Sequence, residues 1–120
     1  MKEESVIKIK SKNFALRVIK LYKYLVSEEK EYVMSKQILK SGTSIGANIA
    51  EAEAGQSKKD FVAKIYIAFK EARESIYWLE LLRDSKYIKR EHADSVMQDC
   101  NELCKILCKI QKTCNKRDDV

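Results

Sequence analysis

The stretch from Lys40 to Leu82 decides the fold, and it reads KSGTSIGANIAEAEAGQSKKDFVAKIYIAFKEARESIYWLELL. Two amphipathic helical patterns meet in it across a short break over residues 55–57. The first pattern places Gly42 and Gly46 about one turn apart, and the second is apolar on more than one face. Glycine inside a helix costs about 1 kcal/mol relative to alanine. Two such glycines therefore indicate that a neighbouring helix approaches closely.

The same helical spacing recurs along the rest of the chain. Apolar residues separated by four and three positions predict one core-facing seam in each of four helices, over about 12–27, 35–54, 58–84 and 90–115. The seams are Phe14, Val18, Leu21 and Leu25; Ile38, Gly42, Ile45, Ile49 and Ala52; Phe61, Ile65, Ala68, Ala72, Ile76 and Leu79; and Val96, Cys100, Leu103, Leu107, Ile110 and Cys114.

Short connections between the predicted helices make consecutive helices antiparallel neighbours. The prediction is therefore an all-α protein, a single domain over residues 1–120 folded as an antiparallel up-down-up-down four-helix bundle. Ser11 and Ser57 are predicted to cap the first and third helices, and residues 27–32 to form a polar, acidic connection. The composition agrees, because the 120 residues include no proline and only three glycines.

Composition also bears on where the chain resides. No run approaches the roughly 20 apolar residues that a membrane-spanning helix needs, and the N-terminal residues contain no apolar signal core. We expect a cytoplasmic protein with no membrane partner.

The third predicted helix carries more apolar surface than one bundle seam uses. Tyr66, Phe69, Tyr77 and Trp78 lie outside its seam. A helix that is apolar nearly all round is central or interfacial. Because every helix of a small bundle keeps a solvent side, we expect a homo-oligomer whose subunits meet along this helix.

Basic residues form two groups in a chain of formal net charge +6. Lysines step by four, three and four positions along the last helix, and a second group crowds one side of the first helix. Such stripes can track phosphates, so the candidate nucleic-acid-binding residues are Arg17, Lys20, Lys23, Lys105, Lys109, Lys112 and Lys116. The alternative is a solvated face that complements the helix macrodipole, because acidic residues occupy the first half of the last helix.

No recognisable enzyme site is present in the sequence. Asn48 and Glu51 on the second helix could face Glu71 and Glu74 on the third, and a polar network or inter-subunit salt bridges are favoured there over a metal site, because no Glu-x-x-His pair occurs. Three of the four cysteines, Cys100, Cys104 and Cys108, lie one turn apart with no Cys-x-x-Cys pair, and His92 stands alone. We interpret these cysteines, with Cys114, as small buried apolar residues, and we expect no enzymatic activity, no cofactor and no metal.

Two runs carry a family resemblance. The run SGTSIGANIAEA, followed by Phe61 and IAFKEARESIYWLELL, resembles the bacterial four-helix-bundle family first noticed as proteins encoded in intervening sequences of 23S ribosomal RNA genes. The resemblance extends from about Phe14 to Leu107. It departs at Ala52, where many relatives have glycine directly after the glutamate, and at Glu53 and Ala54, where relatives have a basic residue shortly afterwards.

The resemblance implies a homo-oligomer, expected to be a pentameric ring, and no catalytic residues. A related branch, the accessory proteins of diversity-generating retroelements, binds nucleic acid and a reverse transcriptase. The family-like positions are assigned to packing and assembly, and with the residues above they make up the candidate interface or packing set: Gly42, Ser44, Asn48, Glu51, Tyr66, Phe69, Glu71, Glu74, Tyr77 and Trp78.

Two functional hypotheses follow. The first is a non-enzymatic oligomer that binds RNA or another nucleic acid electrostatically, with a connection to 23S ribosomal RNA. The alternative is a protein–protein adaptor or accessory protein, for example to a reverse transcriptase, that makes no direct contact with nucleic acid.

Overall fold

Four helices make up the described part of the chain. A computed structural model describes the backbone of residues 2–118 and the side chains of residues 5–115. The helices are α1 (Lys2–Ser27), α2 (Met34–Glu53), α3 (Lys58–Asp84) and α4 (Arg90–Asp118). The backbone over residues 2–118 contains no strand. The predicted all-α, four-helix class is confirmed.

The predicted start of the first helix near residue 12 is wrong. α1 begins at Lys2, because Ile7 and Ser11 are buried and continue the seam for two turns before Phe14. The Ser11 hydroxyl donates to the carbonyl oxygen of Lys8 at 3.1 Å inside the helix, so it does not cap an N-terminus. α4 likewise continues to Asp118 rather than ending near residue 115.

Each helix packs against two others. α2 and α4 each lie against both α1 and α3. Contacting residues run in opposite chain order in these pairs, so neighbouring helices are antiparallel. The contacts that show this are Val18 with Gly42 and Ser11 with Gly46; Ser41 with Ser75 and Glu51 with Lys64; Ala72 with Cys100 and Arg83 with Asp94; and Arg17 with Asp99 and Lys10 with Glu102.

The four predicted seams meet in one core. All of their residues are buried except Phe61 and Ile76, which are half-buried and pack against the core from its edge. Burying one Leu, Ile or Val side chain contributes about 1.5–3 kcal/mol, so these seams supply most of the stability. The Ser75 hydroxyl donates to the Ser41 hydroxyl oxygen at 2.9 Å, which satisfies two buried polar groups between α2 and α3.

Gly42 of α2 packs directly against Val18 of α1. A Cβ atom at Gly42 would lie 2.8 and 2.9 Å from the two γ-methyl carbons of Val18. At Gly46 the nearest atom would be the Ser11 Oγ at 3.4 Å. The missing side chain at Gly42 therefore determines how near α1 sits to α2, and Gly46 is under less constraint.

The N-terminus of α2 is capped by a carboxylate. Glu31 is buried, and its carboxylate accepts hydrogen bonds from the backbone N–H groups of Val33, Met34 and Ser35 at 3.2, 3.1 and 2.7 Å. A negative charge is favourable at the positive end of the helix macrodipole. The connection predicted only as polar and acidic thus holds a structural carboxylate. At α3, Ser57 is the N-cap and accepts from the Asp60 N–H at 3.1 Å.

Replacing Gly42 by alanine should lower the free energy of unfolding by about 1–3 kcal/mol, because valine is stiff at χ1 and its methyl groups must be displaced. At Gly46 the added methyl group would make only an ordinary van der Waals contact with Ser11. Gly46→Ala should therefore be neutral, or stabilising by up to about 1 kcal/mol through helix propensity. Urea unfolding followed by circular dichroism measures both. Equal effects of the two substitutions would contradict the close contact at Gly42.

Glu31→Ala should lower the free energy of unfolding by about 2–3 kcal/mol, because three N–H groups lose a charged acceptor. Glu28→Ala removes the same charge from an exposed position of the same connection and should change stability by less than about 0.5 kcal/mol. Thermal unfolding compares the two variants. A Glu31→Ala protein as stable as the Glu28→Ala protein would refute the capping role.

Candidate nucleic-acid and assembly surfaces

The predicted basic residues of α1 and α4 do not form one surface. α1 and α4 are antiparallel, and the guanidinium of Arg17 donates to the Asp99 carboxylate at 2.7 Å and to the Ser95 hydroxyl at 3.1 Å. Lys20 lies beside His92, near the start of α4. With a rise of about 1.5 Å per residue, Lys105 lies about 20 Å further along α4 than His92. The antiparallel register therefore separates the two basic groups.

The basic group on α4 occupies its second half. Lys105, Lys109 and Lys112 are exposed along one side of the helix, whereas the side chain of Lys116 lies outside the residues described. Among the side chains of residues 5–115, Lys105 and Lys112 take part in no ion pair. The first half differs, because Asp94, Asp99 and Glu102 are all paired with cations of α1 or α3.

Several predicted interface residues make contacts within the chain itself. The Ser44 hydroxyl donates to the Lys40 carbonyl oxygen at 2.6 Å, and the Asn48 amide donates to the Ser44 carbonyl oxygen at 2.8 Å. Glu51 forms an exposed ion pair with Lys64 at 3.4 Å. These side chains therefore form hydrogen bonds along α2 and an ion pair from α2 to α3.

The side of α3 that faces away from the core, here called the α3 outer face, is unusually apolar. It is formed by Tyr66, Ile67, Lys70, Glu74, Tyr77 and Trp78. Tyr66 is 52% exposed, Ile67 40% and Tyr77 54%. Trp78 is half-buried, meets the Tyr77 ring edge-to-face at 5.3 Å, and donates from Nε1 to the Glu74 carboxylate at 3.1 Å. Lys70 lies 5.7 Å from the centre of the Tyr66 ring. Phe69 packs partly against the core and contributes less to this face.

The expected meeting of the α2 and α3 carboxylates does not occur. The α2–α3 register sets Glu51 beside Lys64 and Ser41 beside Ser75, so Glu71 lies near Lys40 instead. Burial raises the pKa of Glu71, Glu74 raises it further, and the charges of Lys40 and Lys70 oppose that rise. Among the described side chains, no group of three or more His, Cys, Asp or Glu residues could hold a metal ion.

The cysteines and the histidine line no common site. Cys100, Cys104 and Cys114 are buried, Cys108 is half-buried, and all four are free thiols. The Cys100 thiol donates to the Ala72 carbonyl oxygen at 3.2 Å, which ties α4 to α3. Burial lowers the pKa of His92, and the nearby charges of Arg17 and Lys20 lower it further.

A cleft that the sequence did not reveal lies at the end of the bundle where α3 turns into α4. It consists of two adjoining cavities of about 460 and 600 Å³ between the C-terminal half of α1 and the α3–α4 connection. Its aromatic and cationic lining includes Lys20, Tyr24, Lys86, Tyr87, Lys89 and Arg90. We call it the turn-end cleft. The cluster of basic and aromatic residues over 86–90 was a visible signal, but its partner Tyr24 lies more than sixty positions away in the chain.

Four helices around one core, with charged and aromatic side chains on the outer surfaces, define an antiparallel four-helix-bundle protein. The family model of the 23S rRNA-intervening sequence protein matches residues 3–109. The chain belongs to that family, as the two sequence runs predicted.

One solved structure is similar over nearly the whole chain. It is a crystal structure of a protein with unknown function from the S23 ribosomal protein family of Bacteroides thetaiotaomicron. That protein is 56% identical, with a TM-score of 0.91, and the match covers 92% of this chain and 98% of the other. No protein with a curated functional description matches the chain. None of the described helices combines the length and the apolar character that crossing a membrane requires.

Proposed function

We propose that this protein is a non-enzymatic, self-assembling bundle protein that binds RNA or another nucleic acid through exposed cations. The distribution of charge along α4 carries the proposal. Asp94, Asp99 and Glu102 are neutralised by ion pairs within the subunit, at distances from 2.7 to 3.2 Å. The lysines of the second half of α4 follow with no acidic residue among them until Asp118.

Lys105 and Lys112, which take part in no ion pair among the described side chains, can attract a polyanion. Each phosphate contact releases condensed counterions, so affinity falls as salt rises, and such contacts are indifferent to base sequence. The alternative explanation is that these lysines only complement the helix macrodipole. Because the macrodipole acts within the last turn of a helix, that explanation requires basic residues only in the last turn of α4. Lys105 lies more than three turns before the helix end, so the macrodipole alone does not account for it.

Self-assembly is supported by the α3 outer face. Exposed apolar patches of this kind on soluble proteins mark interaction sites, and tyrosine and tryptophan are enriched where interfaces are strongest. A second copy of the chain is the occupant we propose, with the pentameric ring that the family resemblance implies. A ring would present the α4 lysines several times and so strengthen weak individual contacts.

Replacing Lys105, Lys109, Lys112 and Lys116 with glutamine should weaken RNA binding by about tenfold or more at low salt. The slope of log affinity against log salt should fall by about 3, because each phosphate contact contributes about 0.7–0.9. Fluorescence anisotropy with a structured fragment of 23S ribosomal RNA, at several salt concentrations, measures both quantities.

The matched control replaces four exposed lysines elsewhere, Lys12, Lys36, Lys40 and Lys59, with glutamine. It should leave the affinity and slope much closer to those of the wild type. If the wild type binds no RNA at low salt, the nucleic-acid function is excluded, and a protein partner becomes the better hypothesis.

Replacing Tyr66 and Tyr77 together with serine should dissociate the assembly, because each aromatic anchor at an interface contributes about 2 kcal/mol or more. Light scattering during size-exclusion chromatography should show a multimeric mass for the wild type and a monomeric mass for the variant. The control replaces Tyr24 and Tyr32 with serine. Both side chains are exposed and lie outside α3, so this variant should retain the multimeric mass. A monomeric wild type, or a variant of unchanged mass, would contradict assembly through this face.

A further inference from the structure

The turn-end cleft combines cations with aromatic rings. Tyr24, 43% exposed, and Tyr87 line it from α1 and from the α3–α4 connection. Lys20 and Lys89 stand close to Tyr24 in one of its two cavities, and Lys86 in the other. The two cavities share Tyr24 and Lys89 in their linings, so they adjoin each other.

The charges in the cleft are strongly unbalanced. Lys20, Lys86, Lys89 and Arg90 take part in no ion pair within 4.0 Å among the described side chains. Two carboxylates also line the cleft. Among the described side chains Asp84 is in an ion pair, and Glu29, which is in none, offsets one of the four cations. Glu29 accepts from the Tyr24 hydroxyl at 3.3 Å, and Asp84 accepts from the Arg83 guanidinium at 2.9 Å. The cleft is therefore a positive groove with an aromatic wall.

We propose that the turn-end cleft binds single-stranded nucleic acid, with one base stacked on Tyr24 and the neighbouring phosphates held by Lys20, Lys89 and Lys86. A cationic groove with aromatic platforms is the common design of single-strand binders. A base can stack on Tyr24 only if it is not already stacked between its neighbours. The bases of a duplex are stacked in this way, whereas those of a single strand can be unstacked. An acidic peptide would match the cations but would leave the exposed aromatic ring unused.

This inference rests on the proposed function and makes it more specific. The α4 lysines would contact the phosphates of single strands and duplexes alike. The cleft would add affinity only for single strands. The two contributions therefore differ in one measurable quantity, the ratio of duplex to single-strand dissociation constants.

The test measures anisotropy with a labelled single-stranded RNA and with a hairpin duplex of related sequence, on the assembled full-length protein. Tyr24→Leu should lower single-strand affinity by about fivefold to a hundredfold, since stacking contributes 1–3 kcal/mol per base, and should leave duplex affinity unchanged. Tyr32→Leu is the matched control, because Tyr32 is 51% exposed and lies outside the cleft; it should change neither affinity.

The charge variants complete the comparison. Lys20→Gln with Lys89→Gln should lower single-strand affinity more than duplex affinity, whereas Lys105→Gln with Lys112→Gln should lower both equally. Lys86→Gly removes one cleft cation at a backbone φ of 68°, where glycine is favoured. It should weaken single-strand binding while the melting temperature stays the same or rises, so lost affinity cannot be ascribed to misfolding.

A direct readout uses 5-bromouridine in the single-stranded RNA. Irradiation should cross-link it to the peptide that contains Tyr24, as mass spectrometry would show. If the wild type binds RNA but the cleft variants keep its duplex-to-single-strand ratio, the cleft inference is overturned and the proposed function stands. If the wild type binds neither RNA, the proposed function itself fails, and this inference fails with it.

Discussion

The contact between Gly42 and Val18 is the constraint on which the arrangement of the other helices depends. A bundle of long helices has few fixed points, because each seam could slide or rotate against its neighbours. At Gly42 an added Cβ would lie within 3 Å of the two Val18 methyl carbons, so α1 can pack at this rotation and depth against α2 only because residue 42 has no side chain. Arg17, the preceding residue, then reaches across to Asp99 on α4.

That rotation of α1 also decides where the charge of the protein is cancelled. Arg17 and Lys10 meet Asp99 and Glu102 along the middle of the α1–α4 side. Ion pairs on a surface contribute only about 0–1 kcal/mol each, so their main effect is on the surface potential. Asp99 and Glu102 in the middle of α4 are paired. The cations that take part in no ion pair among the described side chains lie towards the two ends of α4, at Lys105 and Lys112 and at the turn-end cleft.

Local patterns predicted the fold well because each is a property of one helix. The four-three spacing of apolar residues identified buried seams, and only Phe61 and Ile76 lie at the edge of the core rather than within it. The early start of α1 was missed because Ser11 has the chemistry of a cap, although its hydroxyl bonds within the helix. Glu31 was missed because a glutamate in a polar connection gives no sign, in sequence, that its side chain turns inward.

The surfaces were harder to predict because they depend on register between helices. Arg17 and Lys105 were placed in one basic set, and only the α1–α4 register shows that they lie at different levels. The same register brings Tyr24 to Lys89, which no periodicity within either helix predicts. The α3 outer face, by contrast, was visible in sequence, because its surplus of apolar residues belongs to a single helix.

Backbone conformation gives a further reason to regard the turn-end cleft as a binding surface. Both connections at that end of the bundle hold a lysine in the left-handed region, Lys30 at φ 53° and Lys86 at φ 68°. That conformation costs a residue with a Cβ roughly 1–2 kcal/mol, and glycine avoids the cost. Lys30 has a structural use, since its ammonium donates to the Ser27 carbonyl oxygen at the end of α1 at 2.7 Å.

Lys86 has no such use. Within the described part of the chain its side chain makes no hydrogen bond or ion pair, and it lines the cleft. Its backbone N–H donates to the Arg83 carbonyl oxygen, as a glycine in the same place would. The left-handed conformation at Lys86 accompanies closure of the α3 C-terminus, where the Tyr87 N–H donates to the Leu82 carbonyl oxygen at 3.0 Å, and the lysine side chain adds a positive charge to the cleft. Strained residues cluster at binding sites, and the proposed anionic strand in the cleft would account for a lysine where the backbone alone would favour glycine.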